Sequence, residues 1–425
     1  MRNKKILSNK PVQVGDLLEL IGQKELETLS ESLQADKWVP KLKAPIVFQL
    51  LLYNILENER LSLRIMEENY KSPVFKAMVQ KGEVSDYTAH SSISDRLKTI
   101  KVSYFQKLYE KVYRDAAKLY GEKALKYYNI KRYDSTMIAV FSHLMEGMKV
   151  GNTSRKKNQV KITTELTNDF EIRVSFFKDQ NHLGEEVALK EMIQSQSHSL
   201  KDLIVFDRGI KSRITFCEFK KDQTLFTTRL NDKNRYKFVR KHGDVPQSDA
   251  QGKLNYIQDS IVYLYTDGNK LVKEEFRLIE VQHKKTGKKI YFLTNILDLS
   301  ADLVAEIYRR RWEIEVFFRF LKQEMNLTHF VSNDLNAIQV MLYTTLIAAT
   351  LVLVYKKKND IHSYKIAKKR FTKDLEANII LEMIQTPEGL EFYKLCLKHQ
   401  VEKQYTVDKK SRKRKYAPPN EINTD

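Results

Sequence analysis

Cysteine is nearly absent: Cys217 and Cys396 are the only two in 425 residues, and neither has a CxxC partner. That excludes a disulfide framework and a cysteine-built zinc site, and it fits a reducing cytosol. Tryptophan is as scarce, with only Trp38 and Trp312. The opening residues, MRNKKILSNK, lack the apolar core of a secretory signal. There is no internal repeat, no lipidation motif, and no strongly basic amphipathic helix of the kind that lies on membranes. Negative charge is in deficit: 54 Asp and Glu stand against 74 Lys and Arg, for a net charge of +20. The excess is spread along the chain, so a polyanion, nucleic acid first, is the expected partner. Long apolar runs are also lacking, with one exception. AIQVMLYTTLIAATLVLVY, residues 337–355, is long enough to cross a bilayer. Gln339 and three threonines within it favour instead a buried helix, packed against a central sheet.

Residues 1–120 read as helical. VGDLLELIGQKELETLSESL has helical apolar spacing, PIVFQLLLYNILEN opens on Pro45, and SSISDRLKTI and YFQKLYEKVYRDAAKLY follow. The third of these segments places small polar residues before Arg96 and Lys98, as a DNA-reading helix would, though a plain core helix fits equally. This region is expected to recognise specific DNA, so a chain starting near residue 121 should keep only non-specific, salt-sensitive binding. From about 121 the apolar period changes to two. YYNIKRYDSTMIAVF, QVKITTEL and FEIRVSFF read as strands, GEEVALKEMIQS as a helix, and LIVF as a buried strand. That order predicts an α/β catalytic domain over 121–355: an antiparallel meander with a parallel strand beside its first member, a ribonuclease-H-like layout. Four strand-like runs between 222 and 296 suggest a β-rich insertion. The region 356–425 is helical and basic, with an end expected to be disordered beyond 408.

Two acids stand where packing alone would not put them. Asp134 lies in RYDST within a strand-like run, and Asp207 ends LIVFDRG. A carboxylate at the carboxyl end of a buried strand is costly unless paired or bound to metal. The third element is YRRRWEIEVFFRFLK. Here Tyr308, Arg311, Glu315 and Lys322 are spaced by three, four and seven, which on one helix forms a single stripe. Taken alone, this window reads as an amphipathic helix with an Arg311–Glu315 ion pair. Taken with the two aspartates, it completes an Asp–Asp–Glu set spread over three elements.

The chain resembles the DDE transposases of bacterial insertion sequences, in the cut-and-paste group marked by Y-(2)-R-(3)-E-(6)-K. Tyr308, Arg311, Glu315 and Lys322 fit that signature at every spacing, Trp312 fits the group's usual residue after the Arg, and DST and DRG resemble its two Asp motifs. The resemblance covers roughly residues 80–355. It implies Asp134, Asp207 and Glu315 as catalytic residues and ligands of Mg²⁺, with Mn²⁺ a substitute; oxygen-only donors select such hard ions. It implies DNA contacts from Tyr308, Arg311, Trp312 and Lys322, with Tyr308 donating to a phosphate. It also implies cleavage through a hairpin, a homodimer in the complex with transposon ends and target DNA, and a cytoplasmic, nucleoid-associated protein. Arg155, Lys156, Lys157 and Lys161, together with Arg208, are further candidate phosphate contacts, as is the patch Lys233, Arg235, Lys237, Arg240 and Lys241. One departure stands out. Relatives place a second tryptophan between the second Asp and the Glu, beside a flipped base, and this chain has none there. The rival readings are a two-metal nuclease of the same fold, which needs no Tyr-Arg-Lys stripe, and a non-catalytic DNA-binding protein derived from a transposase, which would be expected to lack an acid.

Overall fold

The computed structural model describes residues 11–79, 87–120, 128–139, 148–150, 157–167, 171–231, 233–249, 251–327 and 330–395. Arg155, Lys156, Cys396 and the C-terminal end expected to be disordered lie outside the described residues. The N-terminal region folds into helices α1 (Val14–Leu18), α2 (Gln23–Ser32), α3 (Ala44–Glu57), α4 (Leu63–Tyr70), α5 (Pro73–Met78), α6 (His90–Thr99) and α7 (Val102–Tyr120). Pro45 sits in the first turn of α3, where its missing N–H leaves no bond unmade.

Among the described residues, ten strands join in one sheet: β1 (Asn129–Ala139), β2 (Met148–Val150), β3 (Lys157–Thr167), β4 (Glu171–Phe177), β5 (Asp202–Phe206), β6 (Leu225–Leu230), β7 (Tyr236–Lys241), β8 (Leu254–Tyr265), β9 (Leu271–His283) and β10 (Lys289–Thr294). The main path runs β2-β3-β1-β5-β6-β10-β9-β8-β7, with β4 paired to β3. β1 is antiparallel to β3 and parallel to β5, and β6 is parallel to β5. Residues 222–296 supply five of these strands, β6 to β10, to the same sheet. β6 and β10 continue the central sheet, and β9, β8 and β7 extend it.

Side-chain alternation on β1 and β5 sorts their residues by layer. Tyr133, Ile204 and Phe206 join a core under α8 (Glu185–Gln194) and α9 (Arg213–Lys221). Ile130, Leu203 and Val205 join the opposite core, under α10 (Ala301–Arg309). Tyr133 pairs with Phe206, so the residues that follow each, Asp134 and Asp207, are neighbours. By the same alternation both belong to the α10 side. α11 (Trp312–Gln323) continues from α10 and is tied to β1 by Arg132, whose guanidinium lies 3.1 Å from the Glu313 carboxylate. The approach to α10 is fixed by Arg277. It pairs with Asp259 in a fully buried bridge (2.6 Å) and donates to the Ile296 and Leu299 carbonyls, so removing either partner would strand a buried charge.

The apolar run forms α12 (Leu335–Lys358). It is long and apolar enough to cross a membrane, but 83% of its most apolar window is buried inside the molecule. It does not lie chiefly against the sheet, as the sequence suggested. Its neighbours are α7, α3, α6 and α13 (Tyr364–Met383). One apolar core accordingly runs from Val14 through α3, α6 and α7 to Ile314, α12 and Ile379. Side chains bridge the same groups: Asn336 donates to the Leu97 and Ile100 carbonyls, Asn359 to Val12 and Thr372 to Leu56. The packing thus crosses both expected boundaries, near 120 and near 355.

Candidate active site

Asp134 stands in β1 opposite Thr164 of β3. One of its oxygens accepts the Ser135 N–H at 2.8 Å. Asp207 follows β5 directly and accepts a hydrogen bond from the Tyr308 hydroxyl at 2.9 Å. Glu315 lies in the first turn of α11 and pairs with Arg311. The Arg311 guanidinium also lies 3.7 Å from Asp134 and 3.9 Å from Asp207. Three acids from three elements thus converge on one buried cation.

The stripe is not carried by one straight helix. α10 ends at Arg309 and α11 begins at Trp312, and Arg311, Glu313 and Ile314 each bond back to the carbonyl three residues earlier. This tight turn of 3₁₀ character re-aims the chain between Tyr308 and Glu315. Ser300 occupies the N-cap of α10 without a side-chain capping bond, and Asp302 lies in the first turn. Tyr308 is buried against Phe292, with ring centres 5.2 Å apart, and the Arg311 guanidinium lies over its ring. Its hydroxyl orients Asp207, whereas the resemblance implied a bond to phosphate.

Burial pushes the Asp134 carboxyl up to about 7, against the opposing pull of the Ser135 N–H and Arg311. Nearby Glu185 and Glu315 push in the same direction as burial. Asp207 behaves differently: burial pushes it up, but Arg311, the Arg208 N–H and the Tyr308 hydroxyl hold it below the usual carboxylate range. Lys322 is pulled down by burial and held up by the charge of Asp134.

Glu185, at the start of α8, escapes sequence reasoning. Burial raises its carboxyl, and Asp207 raises it further. A Cβ on Gly209 would fall 2.7 Å from the Glu185 carboxyl carbon, so glycine in the DRG segment is what lets this acid approach Asp207. The only hint in the sequence is a pair of acids opening a helix, a pattern that ordinarily marks the helix dipole.

Other expected contacts fall elsewhere. Arg96 is turned inward: it pairs with Asp36 at 2.6 Å and donates to the Ala35 and Leu42 carbonyls. With its donors committed inside the fold, it is not placed to read DNA. Lys98 is exposed and pairs with Asp95 at 3.1 Å. Lys161 is buried, donates to the Leu183 carbonyl at 2.7 Å, and faces Glu185 instead of solvent. Lys157 begins β3, opposite Val150. Arg208 is half-buried beside Asp207. The patch Lys233–Lys241 lies exposed around edge strand β7, with Arg240 paired to Glu275 and Lys241 to Asp244. Trp312 is 54% exposed, so it does not serve as core support, and Arg319 stacks over its ring at 6.0 Å.

Among the described residues no three His, Cys, Asp or Glu side chains stand close enough to enclose a metal ion. The reason is visible at Arg311, whose guanidinium occupies the space between the acids. The donor set itself, carboxylate oxygens with one acid held up to about 7 by burial, has the chemistry that suits a hard divalent ion.

Asp134 on β1, Asp207 directly after the adjoining parallel strand β5 and Glu315 on the packed helix α11 bring three carboxylates into one site. Residues 130–351, just over half of the chain, match the transposase DDE domain family, and the chain belongs to it. It is 22% identical over 303 residues to a protein of Synechocystis named as a transposase for insertion sequence element IS4SA, covering 69% of this chain and 76% of that one. It is 27% identical over 157 residues to a protein of Sinorhizobium fredii named as a transposase, covering 37% and 43% of the two chains. A protein of Geobacillus stearothermophilus named as a transposase for element IS5377 is 25% identical over 163 residues, covering 38% and 41%. The matched stretch spans less than half the length of these last two relatives.

The buried Asp134 makes a prediction without DNA. Its folded value, about 7, lies above the ordinary 3.8. The native state therefore holds this proton more tightly than the unfolded chain does. Stability from this group is present below about pH 4 and lost as pH rises through 7. Asp134→Asn, which cannot ionise, is expected to stabilise the metal-free protein more at pH 8 than at pH 5, by up to roughly 2–3 kcal/mol. Denaturant unfolding in EDTA at the two pH values measures this. An equal effect at both would show that Asp134 ionises freely.

Proposed function

We propose that this chain is the transposase of an insertion sequence: it cuts the element's ends and joins them to target DNA, on a ribonuclease-H-like catalytic domain. The observation that carries the reading is the convergence of Asp134, Asp207 and Glu315 around Arg311. Magnesium or manganese ions held by these three acids would activate an attacking oxygen and stabilise a leaving one in displacement at phosphorus. The chain's own residues do the rest. Tyr308 fixes the rotamer of Asp207 through its hydrogen bond. Arg311, released from the acids, offers a two-pronged contact to a phosphate, and Lys322 a point charge. The exposed indole of Trp312 lies one residue from Arg311, where it can pack on the terminal nucleotides.

The proposed order begins with water attacking the phosphodiester at the element's end, so that the P–O3′ bond breaks and the 3′-oxygen leaves as a hydroxyl. That hydroxyl attacks the opposite strand, closing a hairpin and expelling the flanking strand. Water reopens the hairpin, and the freed 3′-hydroxyl then attacks target DNA. One site can thus both cut and join, and two copies of the chain would pair the two ends.

Arg311→Ala and Lys322→Ala test the hairpin step. Hairpin closure needs a sharply bent strand held by its phosphates, so nicking is expected to survive better than hairpin formation. Denaturing gels of end-labelled DNA should show nicked strands accumulating. An equal fall in both products would mean that these cations only position DNA in general. Strand-transfer products from DNA bearing the element's ends separate the whole reading from a nuclease, which cuts without joining, and from a DNA-binding derivative, which does neither.

A further inference from the structure

The loop between α2 and α3 carries Trp38 in a setting that packing does not explain. The indole is 90% exposed, and its backbone has φ +66°, a conformation a bulky side chain rarely adopts. Gln34, at the loop's start, is also left-handed, with φ +49°. Lys37 and Lys41 lie on either side of Trp38 in the sequence and are exposed. The loop is nonetheless firmly closed at its base. Asp36 accepts the Ala44 N–H at 2.7 Å and the Ser30 hydroxyl, and Arg96 clamps Asp36, the Ala35 carbonyl and the Leu42 carbonyl together. The Arg96 side chain, expected on a DNA-reading helix, instead braces both ends of this loop.

We propose that the Trp38 loop is a DNA-stacking tip: the indole stacks on an unpaired or unstacked base while Lys37 and Lys41 hold the adjoining phosphates. This rests on the reading of the chain as a DNA transposase. A rigid aromatic beside cations is the recurring apparatus for holding a splayed base, and it is tolerant of sequence because every base has a π-face. The hollow beside the loop is lined by Glu27, Glu31, Asp36, Lys37 and Lys43, so three acids share it with two lysines. The proposed phosphate contacts are Lys37 and Lys41, the exposed lysines nearest the indole in sequence. Arg96 is a positioning residue in this scheme and touches no DNA.

The test uses the full chain and a short single-stranded oligothymidylate. Trp38 emission is isolated as the difference between wild type and Trp38→Phe. The stacking tip predicts saturable, salt-sensitive quenching of that difference signal. Trp38→Asn suits the left-handed backbone and removes the ring; it should weaken oligothymidylate binding roughly tenfold, with Trp38→Phe falling between. Thermal unfolding of both variants should match wild type, since the side chain is exposed. An unchanged difference signal across the concentration range where the complex forms would overturn the proposal. So would Trp38→Asn binding as tightly as wild type, or a change in Trp38 emission on self-association without DNA. None of these outcomes would touch cleavage by the acid site, so failure here is distinct from failure of the transposase reading.

Discussion

Alanine at Asp134, Asp207 or Glu315 is expected to abolish strand cleavage and joining while leaving DNA binding largely intact. The loss should be roughly a thousandfold or more for each single change, because groups that act as one unit fail together and not additively. Binding survives because phosphate and base contacts come from other side chains. The fold survives because Arg311 keeps two of its three carboxylate partners in every single variant. For Asp134 the metal-free protein should even gain stability at neutral pH, since a buried acid that resists ionisation is removed. Gel assays of cleavage beside mobility-shift assays of binding measure both. An alanine variant that cuts at the normal rate would remove its residue from the proposed site.

The second large effect concerns the chain's architecture. A fragment beginning at residue 121 is expected to be insoluble or unfolded, and not a non-specific DNA binder. α12 has its packing partners in α7, α3 and α6, and Tyr109 meets Tyr343 with ring centres 6.0 Å apart. Phe105, Leu108, Tyr109 and Val112 are all buried on α7. At roughly 1.5–3 kcal/mol each, these four side chains rival the whole net stability of a domain, about 5–15 kcal/mol. Deleting α1–α7 also exposes the apolar face of a 24-residue helix. Circular dichroism and sedimentation of the purified fragment check this. A monomeric, cooperatively folding fragment would show that the shared core is dispensable.

The acid set was legible in the sequence because its chemistry conflicts with packing. A charged residue ending LIVF, and another inside a strand, have few structural excuses, and the strand order that makes them neighbours follows from the apolar pattern. Two-residue alternation also gave β1, β3 and β4, and the helical period gave α3, α6 and α7. The misses share a cause: they depend on what packs against an element, which the element's own residues do not encode. Arg96 and Lys161 look like surface cations in a list of residues, yet Asp36 and the Leu183 carbonyl lie inside the fold to receive them. α12 reads as a helix waiting for a sheet, but besides α13 its main partners, α7, α3 and α6, come from segments more than 200 residues upstream. The break between Tyr308 and Glu315 has no glycine or proline to announce it. Glu185 is brought to Asp207 by a glycine whose value lies only in the side chain it lacks.

The most direct test of the acid site as a metal-dependent centre is a switch in metal preference. Asp207→Cys replaces a hard carboxylate by a softer thiolate while keeping a ligand at the same position. DNA carrying the element's ends is incubated with the wild-type and variant chains in Mg²⁺ or in Mn²⁺, and nicked and joined strands are measured. The account predicts that wild type works with both ions, that Asp207→Cys is inactive with Mg²⁺, and that Mn²⁺ restores a measurable part of its activity. Equal activity of the variant in both ions, or wild-type cleavage that persists in EDTA, would contradict it.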